Sequence, residues 1–501
     1  MGNTRLHNIF IPKRGYQGAP LDFIPKSITN KAMGVYLCAL LLCSAMYANN
    51  AMLWYWWLFG LIEVCGFFYY ANVLSKSWRF RSPKLFVKKL FWTSFALRLA
   101  WVILSYFLWY HWTGTAFTFH AGDELFYEDV AQYAAGLIRE GNWNIVPAIQ
   151  DYSGGDVMYS DMGYPVYLSI IYAISDGSIL FARVLKAIWS AWTVVLVYKL
   201  AVRNFGESVG RMSAILCMLM PNLIFYCGLQ LKEIEMVFLA TLFVERADYV
   251  MRRGSLKTLP MLYLMLIPGV LFFVRTALAA VLVMAFFVTL ILSTDRIMGW
   301  GRRIVLIVIA TIFAGTIMLN NTSIGTEVKE MWQTRGSTQE GNMEWRSTRV
   351  DRDGRTQKFA KYAGAAVFAP MIFTIPFPTM TETEGQENQR MIHGGYFVKN
   401  ITSYFTILAL FILLFSGNWR KHVLPLAVLC GYLVVLVFSN FAHSERFHLP
   451  TLPFALMFAV YGLTKIKQKR WMERGYVFWC ILMMVAAIAW NWFKLAGRGM
   501  V

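Results

Sequence analysis

Charge is scarce in this chain: Asp, Glu, Lys and Arg together make up only 15% of its 501 residues, and the acids number 28 against 47 bases. Length alone would suggest about three soluble domains. A mean hydropathy of +0.48, with 19 Trp and 38 Phe, excludes that organisation and indicates a polytopic membrane protein. The seven cysteines all fall within apolar segments and show no metal-ligand spacing, which argues against a disulfide framework or a zinc site. No repeat of solenoid period is visible. Residues 1–31 are polar and carry Arg5, Lys13, Arg14, Lys26 and Lys31, so they do not read as a cleavable signal, and the first span is expected to direct insertion. The net charge of +19 would suit nucleic acid, but the bases lie at the edges of apolar runs. Retention of Lys and Arg on the inner side explains that placement, with anionic lipid headgroups as partners and no nucleic acid.

What is present is a series of long apolar runs. Spans are expected near 32–50, 52–73 and 90–112, then near 178–200, 211–229, 233–250, 258–274, 276–293 and 303–319, and finally near 402–417, 422–440, 449–464 and 476–493. The fold class is therefore an all-α polytopic membrane protein of about thirteen transmembrane helices. The organisation reads as a cytoplasmic segment 1–31, two spans and a basic linker over 32–89, a membrane core over 90–319, a long external loop 320–401, and C-terminal spans over 402–501. Basic clusters such as Lys76 to Lys89 and 465–470 fall at alternate connections, which puts the N-terminus inside.

One stretch breaks the apolar pattern. Between Thr113 and Gly163 lie eight acids and a single base, Arg139, as expected for a loop outside the cytoplasm. The external region 113–177 is expected to hold juxtamembrane helices, since Phe126, Val130, Ala134 and Leu137 share one helical face, while 165–175 is too short to span. Asp123 and Glu124 sit at the head of that first helix. Two readings fit them: capping of free N–H groups in a first turn, or removal of a proton from a polar acceptor.

Three further polar clusters fall at outer ends in this topology: Lys232 and Glu233 in LQLKEIE, Arg275 between two apolar runs, and His443, Glu445, Arg446 and His448. Taken singly, each reads as a snorkelling charge at a helix end. Together they offer acids for a base or a metal, and cations for an anionic headgroup. Glu63 and Arg98 each interrupt an apolar run at similar depth, so a Glu63–Arg98 pair joining the second and third spans is expected.

The run GDELFY…YAAGL…GNW, followed by GYPVYLSIIYAI, DGSILFARVLKAI and KLAVRNFG, resembles the GT-C superfamily of glycosyltransferases, in its protein O-mannosyltransferase and lipid A aminoarabinose transferase branch. The likeness is clearest over 85–275 and returns at ERFHLPTLP (445–453). It implies a transferase that uses a polyprenyl-phosphate sugar on the periplasmic side of a bacterial inner membrane, with a glycan, lipid or protein acceptor. Under it, Asp123 is the base, Glu124 supports it, and Glu233 is the second acid. Lys232, Arg275 and Arg446 become donor-phosphate ligands, and Tyr127, Tyr164, His443 and His448 candidates for holding acceptor or sugar. A divalent cation, Mg or Mn, bridging Asp123 and Glu233 would suit two carboxylates, though nothing in the sequence requires one.

Two other classes stay open. A lipid-linked glycan polymerase or ligase would use late external arginines, and Arg335, Arg346, Arg349, Arg352 and Arg355 precede His393 here. A transporter or flippase would place functional charges at mid-bilayer and show internal symmetry.

Overall fold

A computed structural model describes residues 21–154, 159–253, 258–293, 371–383, 385–438 and 444–496, with a few isolated positions at 299–308 and 500. Helices account for nearly all of it, and no strand occurs among the described residues. Among the described residues eight helices are long and apolar enough to cross a membrane, or nine if one bent pair counts as a single span. The chain is thus a multi-pass helical membrane protein, and the expected count of thirteen spans is not confirmed among the described residues.

In chain order the helices are α1 (Lys26–Met46), α2 (Trp54–Trp78), α3 (Pro83–Thr113), α4 (Gly122–Arg139), α5 (Ile145–Tyr152), α6 (Tyr159–Ser175), α7 (Ile179–Phe205), α8 (Glu207–Leu219) and α9 (Pro221–Phe225). They continue with α10 (Glu233–Arg253), α11 (Thr258–Leu292), α12 (Glu387–Met391), α13 (His393–Ser416), α14 (Val423–Phe438), α15 (Glu445–His448), α16 (Leu452–Lys465) and α17 (Arg470–Ala496). Local signals set several ends. Pro83 opens α3, where its missing N–H costs nothing, and Gly114 closes it at φ 72°. Ser178 caps α7 by accepting from the Phe181 N–H.

The differences from the expected spans have local causes. The run 211–229 breaks at Met220–Pro221, and α8 and the segment Pro221–Gly228 meet at 52°. Helix α10 covers 233–250 but carries seven charged residues, so composition alone does not mark it as a span. Residues 303–319 lie mostly outside the described residues.

Helix α11 contains both 258–274 and 276–293, with Arg275 non-helical at φ −163°, ψ 92°. Lys232 at the head of α10 bonds to Val274, and Phe243 further along α10 packs against Phe286, their rings 6.2 Å apart. At 1.5 Å per residue a straight α11 would carry these two rings about 30 Å apart. The chain therefore turns back at Arg275, which sits at the tip of a helical hairpin.

Helix α13 begins at His393, nine residues before the expected span. Its polar first turns are buried because the neighbouring protein satisfies them. His393 Nε2 meets Tyr36 Oη at 2.8 Å, and Lys399 donates to the Ile375 carbonyl at 2.7 Å. The segment 371–383, which contributes that carbonyl, is largely buried against the bundle rather than lying in a free loop.

The expected Glu63–Arg98 pair does not form. Arg98 instead donates to Ser190 Oγ at 2.6 Å, Ser94 Oγ at 2.8 Å, and the carbonyls of Met218 at 3.1 Å and Cys217 at 3.2 Å. The Cys217 carbonyl would bond the N–H of residue 221 in a continuous helix, but residue 221 is proline. The break in α8–α9 is thus what recruits Arg98, and the guanidinium also faces the negative end of α8. Glu63 accepts from the Gly395 N–H at 3.0 Å, where α2 and α13 cross closely at Gly60 and Gly394.

Candidate functional site

Helix α4 positions the first acid. Its buried side is Glu124, Tyr127, Val130, Ala131, Ala134, Ala135 and Ile138, one step round from the face expected from Phe126, Val130, Ala134 and Leu137. Phe126 is 40% exposed. The rotation follows from two inward-facing acids, Glu124 and Glu128. Glu124 accepts from the Gln230 N–H at 2.7 Å and from Thr118 Oγ1, and Arg183 lies 3.7 Å away. Glu128, one turn on, accepts from Gln132 at 3.0 Å and from Tyr172, whose hydroxyl also accepts from Gln230 Nε2 at 2.6 Å. Burial pushes the Glu128 carboxyl up, against the opposing effect of those hydrogen bonds.

The turn before α10 is held from beneath. Lys186 donates to the carbonyls of Leu229 and Leu231, both at 2.6 Å, and to Tyr164 Oη at 3.1 Å, with Glu235 3.9 Å away. Arg183, three residues earlier and so on the same face of α7, reaches the Ala116 carbonyl at 2.7 Å. These two cations fix both the loop leading into α4 and the turn leading into α10.

On that support the predicted residues converge. Arg446 on α15 donates to Asp123, and its Nε lies 3.7 Å from Glu233 Oε1. One guanidinium therefore joins acids that are 110 positions apart in sequence. Lys232 bonds to Asp161 and to the Val274 carbonyl at 2.8 Å. Burial lowers its pKa even though Asp161 opposes the shift. The Arg275 and Arg446 guanidinium carbons lie 4.7 and 4.9 Å from the Phe447 ring centroid. Tyr127 faces Lys232, 5.8 Å from ring centroid to Nζ, and Tyr164 packs edge-on against Tyr127 at 5.1 Å. The Tyr127 hydroxyl is pushed up by burial first, and then by the negative charges of Asp161, Glu233 and Asp123. The second oxygen of Glu233, Oε2, is buried without a hydrogen bond.

Asp123 bonds Arg446 rather than the N–H groups of its own helix, so the capping arrangement is not the one adopted. Glu124 is wholly engaged in holding α4 to the 228–231 turn and does not face the cluster's open side. Tyr164 is buried, its hydroxyl spent on Lys186. His448 lies on the far side of its helical turn from Arg446 and lines a separate cavity with Lys399, Thr402, Thr406 and Thr451. His443 and Arg335 to Arg355 lie outside the described residues.

Sequence reasoning did not single out Asp161, Arg183, Lys186, Glu235 or Lys399. Arg183 and Lys186 had a legible signal, two cations three residues apart inside an apolar run. Lys399 had none, because its carbonyl partner and Glu445, 3.7 Å away, come from distant segments.

The space between Asp123 and Glu233 is taken by Arg446, and among the described residues no three His, Cys, Asp or Glu side chains gather as metal ligands. This donor set does not fit a bridging Mg or Mn, because a cation there would have to share two carboxylates with a guanidinium. Compared with models of known families and with curated proteins, the chain gives no match to either.

Proposed function

We propose that the chain is an integral membrane glycosyltransferase that moves a sugar from a polyprenyl-phosphate donor to an acceptor hydroxyl on the external face of a bacterial inner membrane. The observation that supports this reading most is the bridging of Asp123 and Glu233 by Arg446, with Lys232 and Arg275 beside it. Three acids, Asp123, Asp161 and Glu233, and three cations from five separate stretches meet at one end of the helical bundle. Structural ion pairs at a helix end would not require such convergence.

In the proposed reaction Asp123 accepts the proton of the acceptor hydroxyl as its oxygen attacks the anomeric carbon. The bond from that carbon to the phosphate oxygen breaks, and its electron pair leaves on the lipid phosphate. Arg446, Lys232 and Arg275 stabilise the charge that develops there. Glu233 orients Arg446, while Glu124, Arg183 and Lys186 hold the frame. A single displacement needs no enzyme nucleophile, so the anomeric configuration inverts.

The test uses the purified full chain in liposomes, undecaprenyl-phosphate-linked sugars labelled in the sugar, and a membrane extract as acceptor source. Release of free undecaprenyl phosphate with label in a new glycosidic bond supports the reading. Labelled donor that crosses the bilayer with its sugar–phosphate bond intact would replace it with a transporter. The buried pairs Lys186–Glu235 and Lys399–Glu445 within the bundle give that second reading its physical basis.

A further inference from the structure

The two ion pairs at the cluster are built asymmetrically. Lys232 is 6% exposed and anchored on the Val274 carbonyl, whereas its partner Asp161 is 43% exposed. Arg446, 32% exposed, is held between Glu233 and Phe447, and its partner Asp123 is 52% exposed. In both pairs the fold fixes the cation and leaves the acid at the water side. Both acids come from the segment 122–161, while the cations sit on α15 and on the turn before α10. A carboxylate so placed can turn into solvent at little cost; the buried Lys232 cannot follow it and must find another anion, while the half-buried Arg446 is left with Glu233 alone.

We propose that Asp123 and Asp161 are internal competitors for a phosphate group at Arg446 and Lys232. The donor's phosphodiester carries one charge and two free oxygens, as a carboxylate does, so it can take either acid's place in charge-assisted bonds to the same donors, and the phosphate monoester left after transfer, with up to two charges, holds them more strongly. Its arrival releases Asp123 from Arg446 and frees that carboxylate to accept a proton. Binding of the phosphate thereby precedes activation of the base, and the order of events is set by charge balance at the cluster. Glu233, buried and with Oε2 unbonded, stays with Arg446 throughout and keeps the guanidinium oriented. The inference rests on the glycosyltransferase reading for the identity of the headgroup, but not for the competition itself.

The experiment measures binding of dodecyl phosphate, and separately of inorganic phosphate, to the full chain in detergent micelles. Asp161→Asn is expected to bind about fivefold more tightly than wild type, the scale of one partly exposed ion pair. Asp161→Glu, which keeps the charge, should bind as wild type does, and Lys232→Gln should lose most of the affinity. Asp123→Asn provides a second reading of the same competition should Asp161→Asn fail to fold. Tightening in either Asn variant supports the proposal, with both ligands responding for a free phosphate site and only dodecyl phosphate responding for a lipid headgroup. Unchanged or weaker binding in both Asn variants overturns it. Sugar transfer by wild type without tightening would sink the competition alone, while tightening without sugar transfer would sink the glycosyltransferase reading alone.

Discussion

Arg446 donates to Asp123 across 323 residues of sequence, and this contact joins the acidic segment to the last third of the chain. It predicts how an isosteric change behaves. Asp123→Asn keeps an oxygen that can accept from Arg446 but cannot take a proton at neutral pH. Transfer should fall by about two to four orders of magnitude. Because the pair is half exposed, unfolding stability should move by less than about 1 kcal/mol. Turnover near the wild-type rate, measured beside an unchanged melting curve, would remove Asp123 from the proposed chemistry.

A pH experiment can isolate Glu128. Its carboxyl is raised above the ordinary value of 4.5, with burial as the largest cause. A raised folded-state pKa means that its stabilising contribution is complete below the unfolded value and is lost as pH rises through the folded value. Glu128→Gln keeps the protein neutral at that position at every pH. The variant should therefore be the more stable at pH 7.5, and its advantage should shrink as the pH falls towards 4.5. Melting temperatures of both proteins across this range give the answer, and a gap that widens on acidification would contradict it.

Arg98 and Glu63 bind different groups, so their variants should act independently. Arg98→Met removes a cation that serves two helix-end carbonyls and two hydroxyls, and should cost about 2–4 kcal/mol. Glu63→Gln retains an acceptor for the Gly395 N–H and should cost less than about 1 kcal/mol. The double variant should equal the sum within about 0.5 kcal/mol. Rescue of Arg98→Met by Glu63→Gln in detergent unfolding would restore the direct pair that the structure lacks.

Close helix contact gives a prediction of opposite signs. A Cβ on Gly394 would lie 2.6 Å from Glu63 Oε2 and 2.9 Å from the Gly60 carbonyl oxygen, so Gly394→Ala should destabilise by about 1–3 kcal/mol. Gly66, also on α2, has open space around its Cβ position, and Gly66→Ala should be neutral or stabilising by up to about 1 kcal/mol through helix propensity. Thermal unfolding of the two variants side by side tests whether α2 and α13 cross at Gly394. Equal effects would place the crossing elsewhere.

Part of the site was legible in the chain. Asp123, Lys232, Glu233, Arg275 and Arg446 each stood out as a charge beside an apolar run, and the structure gathers all five at one end of the bundle. The supporting residues were not legible to the same degree. Lys186 and Arg183 look like unexplained cations until the 228–231 turn and the Ala116 carbonyl are brought to them. Glu124 read as a cap or a support for Asp123, and only the contacts to Thr118, Gln230 and Tyr172 show that it and Glu128 turn α4 inward.

By itself the sequence determined that the chain is helical and multi-pass, because a long apolar run has no way to satisfy its backbone in lipid except as a helix. It also marked where charge interrupts that pattern. The tertiary structure decided what each interruption is for. Arg275 turns a hairpin, Arg98 takes the carbonyl that Pro221 leaves without an N–H, and Arg446 joins two acids into one cluster. The physical reason is range. Hydropathy and helix-end signals act within about one turn of the chain, whereas the partner of a buried charge is chosen by packing between segments hundreds of residues apart.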